Sequence, residues 1–194
     1  EEEAARAGRG EPGRAVLKLN SLQDPEMIER LYRISRTGVR IELIVRGICC
    51  LMPGVKGLSA NIVGRSIIDR FLEHGRVYLF HAGGEERCYL SSADLMTRNL
   101  SHRIEVAFPI VDEEARRQVR ALLRLQLDDD RKARRVGGED ADPSPPRPWG
   151  QRRAQEDVYR FLRSLVSGTN MGASLPDDAR SVASAEGYES SGEK

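Results

Sequence analysis

One histidine stands among several arginines in the stretch from Arg46 to Arg103, each close to the end of an apolar run. The segments read Val45-Arg46-Gly47-Ile48-Cys49-Cys50, Phe71-Leu72-Glu73-His74-Gly75-Arg76, Tyr89-Leu90-Ser91-Ser92-Ala93-Asp94 and Arg103-Ile104-Glu105-Val106. Histidine can relay a proton near neutral pH or become a phosphorylated nucleophile, and guanidinium groups grip phosphate oxygens with a two-pronged geometry that lysine lacks. The chemistry these types suggest is phosphoryl transfer, with Arg46, Arg76 and Arg103 as anion clamps and His74 as the titrating group. Each has a plainer reading. An arginine ending a strand is commonly a surface residue, and a lone histidine is commonly structural.

The remaining polar groups leave alternatives open. Asp94 and Glu73 are candidate general bases or metal ligands, but capping a turn and pairing with arginine is the favoured reading. Glu105 either pairs with Arg103 as a structural ion pair or orients Arg103 or His74. A zinc site from His81, Cys88 and His102 lacks metal-ligand spacing. Arg131 to Arg135 is a solvated charge run or an outer track for a polyanion, with the first favoured.

Of the 31 basic residues only Lys18, Lys56, Lys132 and Lys194 are lysine, but a GC-rich genome produces the same bias, so position must decide. The net charge of +1 excludes a strongly basic nucleic-acid binder on overall charge and leaves a local basic cleft allowed. With 194 residues and 39% hydrophobic content the chain can build one domain with a core, plus tails. No apolar run approaches a membrane span, and the acidic start does not resemble a signal peptide. Cys49, Cys50 and Cys88 fit small buried thiols in a reducing compartment better than a disulfide framework. A cytoplasmic location is expected, with membrane association left open.

The elements that must position these groups follow from periodicity. Residues 1–13 lack any pattern and are expected to be a disordered lead-in. Ala15 to Leu19 suits a strand. A helix follows with Asp24 as N-cap, Pro25 in its first turn, an apolar stripe of Met27, Ile28, Leu31, Tyr32 and Ile34, and a stop at Gly38. Val39 to Ile48 reads as a strand covered on both faces, so strand, helix and strand form a parallel crossover unit. After a second apolar segment at 65–72, Arg76 to Phe80 and Arg87 to Ser92 read as a hairpin turning at Gly83-Gly84, and Arg103 to Ile110 as a further strand. On that strand Arg103, Glu105 and Ala107 would share one face. Asp112 to Leu127 and Gln155 to Val166 read as amphipathic helices joined by a Pro-rich connection at 142–149, and 167–194 as a disordered tail. Ligands gather beyond the carboxyl ends of parallel strands, where Arg46 falls, and Gly47 would let backbone approach a phosphate there.

Taken in order, Arg46-Gly47-Ile48-Cys49-Cys50, Arg70-Phe71-Leu72-Glu73-His74, Ser91-Ser92-Ala93-Asp94, Thr97-Arg98-Asn99-Leu100 and Arg103-Ile104-Glu105-Val106 closely resemble the C-terminal part of bacterial polyphosphate kinases, the histidine-phosphorylating type. The resemblance covers residues 14–166 and implies an α/β domain of phospholipase D type, a mixed sheet flanked by helices. It implies reversible transfer of the terminal phosphate of ATP to inorganic polyphosphate through a phosphohistidine that lies in an upstream part not matched here. By position, Arg46 and His74 resemble ATP-contacting residues, His74 also the proton-transfer partner, and Arg103 a phosphate-contacting arginine. Arg76 stands at the lysine position of a degenerate His-x-Lys motif, also among the phosphate-binding candidates, with its role open. The departures from that motif argue against phosphodiester hydrolysis. Magnesium is implied with ATP, held by ligands outside this chain, and the implied partners are ATP or ADP, polyphosphate, the upstream domains and a second copy in a homo-oligomer. The chain alone is expected to be inactive or nearly so. The alternative is a non-catalytic remnant that binds polyphosphate or nucleotide.

Overall fold

Alternation in the first strand decides the layering. In the computed structural model, which describes residues 1–137 and 150–168, β1 (Arg14–Leu19) sends Ala15, Leu17 and Leu19 to one face and Val16 to the other, all buried. An apolar residue on both faces requires cover on both. Helix α2 (Pro25–Arg36) supplies one side through Met27, Ile28, Leu31, Tyr32 and Ile34, packed with Leu17, Leu19, Ile41 and Leu43. Helix α4 (Glu113–Leu127) supplies the other through Val119, Leu123 and Leu127, packed with Val16, Ile44, Val77 and Leu79. Both helices start where capping chemistry places them: Asp24 accepts from the Met27 amide at 2.9 Å and Asp112 from the Ala115 amide at 2.7 Å.

Seven strands form one mixed sheet in the order β6-β5-β4-β1-β2-β3-β7. β1 runs parallel to β2 (Arg40–Val45), and β2 parallel to β3 (Ile62–Ile67). β4 (Arg76–Phe80) is antiparallel to β1, β5 (Arg87–Ser91) to β4 and β6 (Ala107–Pro109) to β5, while β7 (Ala133–Arg135) is antiparallel to β3. The expected crossover unit and the hairpin are therefore present, and the mixed sheet flanked by helices is the architecture expected. Register brings the carboxyl ends of β1 and β2 beside the amino end of β4 and the carboxyl end of β5, since Lys18 pairs with Val77 and Arg76 with Ser91.

Three expectations are corrected. The lead-in contains a helix, α1 (Glu2–Ala7), because Glu3 is buried and its carboxylate accepts from the Arg14 amide at 3.0 Å and the Ala82 amide at 2.6 Å. That second amide lies on a tight turn where Ala82 adopts φ +48°, and no local pattern announces it. The strand expected from Arg103 to Ile110 is limited to Ala107–Pro109; Ile104 and Val106 are exposed, and a short helix, α3 (Thr97–Ser101), precedes the segment. Finally, Cys50 is exposed and Cys49 only half-buried, while Cys88 is buried, with burial pushing its thiol up to about 11.

The chain divides into two compact units, Glu1–Val158 and Tyr159–Lys194. Helix α5 (Ala154–Ser167) matches the last helix expected from sequence. In the second unit, the Arg163 guanidinium lies 6.0 Å from the centroid of the Tyr159 ring. The Pro-rich connection, and the tail beyond residue 168, fall outside the described residues. No helix among the described residues is long and apolar enough to cross a membrane.

Candidate functional site

Asp94 organises the sheet edge where these strand ends meet. Its carboxylate is buried and takes five hydrogen bonds: Oδ1 from the amides of Asn20 (2.7 Å) and Ser21 (3.2 Å) and from Arg76 Nε (3.3 Å), Oδ2 from Arg76 Nη2 (2.9 Å) and Asn20 Nδ2 (3.4 Å). Burial alone would raise its pKa, but the bonds from Arg76 and the two amides outweigh that and hold the carboxyl below its ordinary value. Arg76 then reaches His74, donating from Nη1 to the ring Nδ1 at 3.2 Å and to the backbone carbonyl at 3.0 Å. On the other side, Asn20 Oδ1 accepts from Arg46 Nε (3.3 Å) and Nη2 (3.0 Å). His74, Arg76, Asp94, Asn20 and Arg46 are thus one continuous hydrogen-bonded chain across four elements.

Local structure explains why each member sits there. Asn20 follows the last residue of β1 and Arg46 that of β2, and Gly47 brings the two exits together by donating to the Asn20 carbonyl at 2.7 Å. A Cβ at Gly47 would lie 2.9 Å from that oxygen, so this glycine serves strand-exit packing. The loop carrying His74 is tied down by its neighbour. Glu73 accepts from Lys18 Nζ at 2.9 Å, from Gln155 Nε2 at 3.1 Å and from Gln126. Gln155 also clamps the Phe71 backbone, accepting from its amide and donating to its carbonyl, both at 2.8 Å.

The Ser91-Ser92-Ala93-Asp94 segment closes the other flank. Ser91 Oγ donates to the Val106 carbonyl and accepts from the Ala93 amide, Ser92 Oγ accepts from the Val106 amide, and Tyr78 Oη donates to the Ala93 carbonyl at 3.0 Å. Burial, reinforced by the Asp94 charge, raises the Tyr78 pKa, so this hydroxyl stays a donor. Glu105 accepts from Ser92 and from Asn99 Nδ2, bonds that hold its carboxyl below the ordinary value. Its hydrogen-bond partners are thus neither Arg103 nor His74; it fastens its own segment to the β5 exit.

The structure places Arg46 and His74 at one edge, and Arg46 keeps Nη1 and one Nη2 hydrogen without a partner among the described residues. Every N–H direction of Arg76 except one Nη2 hydrogen is engaged within the protein. Arg103 is exposed and, among the described residues, makes no hydrogen bond or ion pair. Asn20 was not singled out by sequence reasoning, because its partners lie 26 and 74 positions away. The readings of Asp94 and Glu73 as turn and pairing groups fit the geometry, although Glu73 pairs with Lys18 in place of an arginine. No group of three His, Cys, Asp or Glu among the described residues is placed to hold a metal ion.

Comparison with known proteins supplies the context for this edge. The chain is 52% identical to polyphosphate kinase 1 from Chlorobaculum tepidum over 137 residues, which is 71% of this chain and 20% of that protein. The crystal structure of polyphosphate kinase from Porphyromonas gingivalis is similar with a TM-score of 0.77 and 42% identity, covering 87% of this chain and 26% of that one. A phospholipase D family member, Nuc from Salmonella typhimurium, gives a TM-score of 0.49 at 10% identity over 70% of this chain. The chain spans about a fifth to a quarter of the length of the polyphosphate kinases it matches. Residues 1–144 match the family described as Polyphosphate kinase C-terminal domain 2, and to that family this chain belongs.

Proposed function

We propose that this chain forms one wall of a polyphosphate kinase active site, serving the reversible transfer of the terminal phosphate of ATP to inorganic polyphosphate. The observation that carries this reading is the single hydrogen-bonded chain joining Arg46 to His74 at the carboxyl edge of the parallel strands. Arg46 offers its unpartnered N–H groups to ATP phosphate oxygens in a planar fork. His74, exposed at the same edge, holds or moves a proton at the transferring group. Arg103, exposed and without a hydrogen bond or ion pair among the described residues, contacts the polyphosphate chain and spreads its charge.

The phosphorylated histidine belongs, in this reading, to a part of the enzyme outside this chain. Magnesium would accompany ATP through its phosphates. The carboxylates at this edge do not make a metal site, because Asp94 and Glu73 are already occupied by donors from Arg76, Asn20, Lys18, Gln126 and Gln155. This chain's contribution is to bind, orient and transfer protons in a cytoplasmic enzyme.

The test grafts this chain in place of the matching segment of the Chlorobaculum tepidum enzyme. His74→Ala in the graft is expected to lower turnover of ATP into polyphosphate by about 10²-fold or more while leaving thermal unfolding unchanged. Turnover equal to the parent would remove His74 from the chemistry. Polyphosphate binding without turnover in the unmutated graft would favour the non-catalytic remnant.

A further inference from the structure

Arg76 is drawn by its position toward a phosphate-binding role, but its geometry serves a different one. A guanidinium cannot accept a hydrogen bond, so the 3.2 Å contact from Nη1 makes His74 Nδ1 the acceptor. In the neutral ring the proton must then sit on Nε2. Arg76 in turn cannot turn away, since Nε and Nη2 form a two-pronged pair with a carboxylate whose side chain is only 6% exposed. The same carboxylate accepts from Asn20 Nδ2, which fixes the amide so that Oδ1 faces Arg46.

We propose that Asp94 and Arg76 are positioning residues that hold neutral His74 in the tautomer protonated at Nε2, and that Asn20 extends the same constraint to the Arg46 guanidinium. His74 is thereby presented as an N–H donor toward the phosphoryl group, with its other nitrogen permanently engaged. One carboxylate sets both ligand-facing arms of the edge. The consequence for phosphoryl transfer rests on the function proposed above; the hydrogen-bonded arrangement itself does not.

The deciding measurement is nitrogen-15 NMR of the labelled chain under alkaline conditions that keep imidazole neutral, with the ring assigned by its loss in His74→Gln. The expected spectrum has a proton on Nε2 and an Nδ1 resonance at the position of a hydrogen-bonded acceptor. In Arg76→Met the Nδ1 resonance is expected to move to that of an unbonded imidazole nitrogen. Arg76→Lys, which keeps a charge beside Asp94 and so protects the fold, should move it the same way because an ammonium lacks the fork. A proton on Nδ1 in the parent, or an Nδ1 resonance unmoved in both variants, would overturn the proposal, and the parent spectrum decides even if Arg76→Met does not fold.

In the grafted enzyme, Arg76→Lys should lower kcat by roughly 10-fold or more with little change in KM for ATP, as expected when a reacting group is misoriented. Asn20→Ala should chiefly raise KM. The expected NMR result together with unchanged turnover in His74→Ala would remove His74 from the chemistry, and together with no turnover in the unmutated graft it would refute the kinase reading; either way the positioning chain is left standing.

Discussion

The Asp94 edge and the Arg103 segment both adjoin the exit of β5, yet they are built on opposite plans. At the Asp94 edge the protein satisfies its own charges: the side chains of Arg76 and Asp94 are 13% and 6% exposed, and the pair is hydrogen-bonded on both sides. At the Arg103 segment the acidic member, Glu105, is satisfied by neutral donors, and the arginine is left in water. The first arrangement exists before any ligand arrives and costs nothing to organise at the moment of reaction. The second leaves a solvent-exposed cation that makes no hydrogen bond or ion pair among the described residues. Under the proposed function the contrast separates residues that orient from residues that bind, and each can be broken independently.

The largest expected effect is on the first region. Asp94→Ala leaves Arg76 buried without its counter-charge and removes the acceptor for two backbone amides, so unfolding stability should fall by about 3 kcal/mol or more. Urea titration of the chain measures it. A loss below about 1 kcal/mol would place the Asp94 edge in the same class as a surface ion pair.

The same variant carries a pH signature. Because the Asp94 pKa is depressed in the folded chain, its contribution is present above the ordinary carboxylate value of 3.8 and is lost as pH falls through the lower folded value. The stability gap between the parent and Asp94→Ala should therefore stay constant from neutrality down to about 3.8 and narrow from there as pH falls toward the lower folded value. A gap that closes between pH 7 and 5 would mean that another group carries the effect.

How far these regions were legible in the sequence follows from the range of their interactions. The β1-α2-β2 unit could be read because apolar continuity, the Asp24 cap and the Gly38 stop are local signals. Arg46 could be placed beyond the carboxyl end of β2 because ligands gather there in parallel sheets, whereas His74 reaches the same edge through β4, which runs antiparallel to β1. The Asp94 hub could not be assembled, since the bonds that make it join residues 18 and 74 positions apart. The helix at the start escaped for the same reason, being fixed by Glu3 reaching Ala82 across 79 positions. Arg103 to Val106 misled because apolar alternation mimics a strand even where the residues stay exposed.

A middle-sized effect is expected where the two plans meet, at Arg46. Arg46 is oriented by Asn20 yet keeps N–H groups free, so it both belongs to the ordered edge and faces outward. Arg46→Lys keeps the charge but loses the fork and the bifurcated bond to Asn20. In the grafted enzyme it should raise KM for ATP roughly tenfold, the worth of one charge-assisted hydrogen bond, with stability little altered. Kinetics matching the parent would return Arg46 to a purely structural role.

The smallest effect on the fold, and the clearest test of the outward-facing plan, is at Arg103. With no hydrogen bond or ion pair among the described residues, its truncation to Ala should shift unfolding stability by no more than about 0.5 kcal/mol. Polyphosphate binding should nevertheless weaken, and what remains should depend less steeply on salt, because a solvent-exposed cation acts on a polyanion through a field that ions screen within about 8 Å at physiological strength. Titrating immobilised polyphosphate with the parent and Arg103→Ala at two salt concentrations measures both quantities. Equal affinity and equal salt dependence would show that Arg103 does not touch the chain of phosphates, and the distinction between an orienting edge and a binding segment would then rest on Arg46 alone. A large loss of stability would break the comparison from the other side, since it would mean that this arginine, too, is held by the protein.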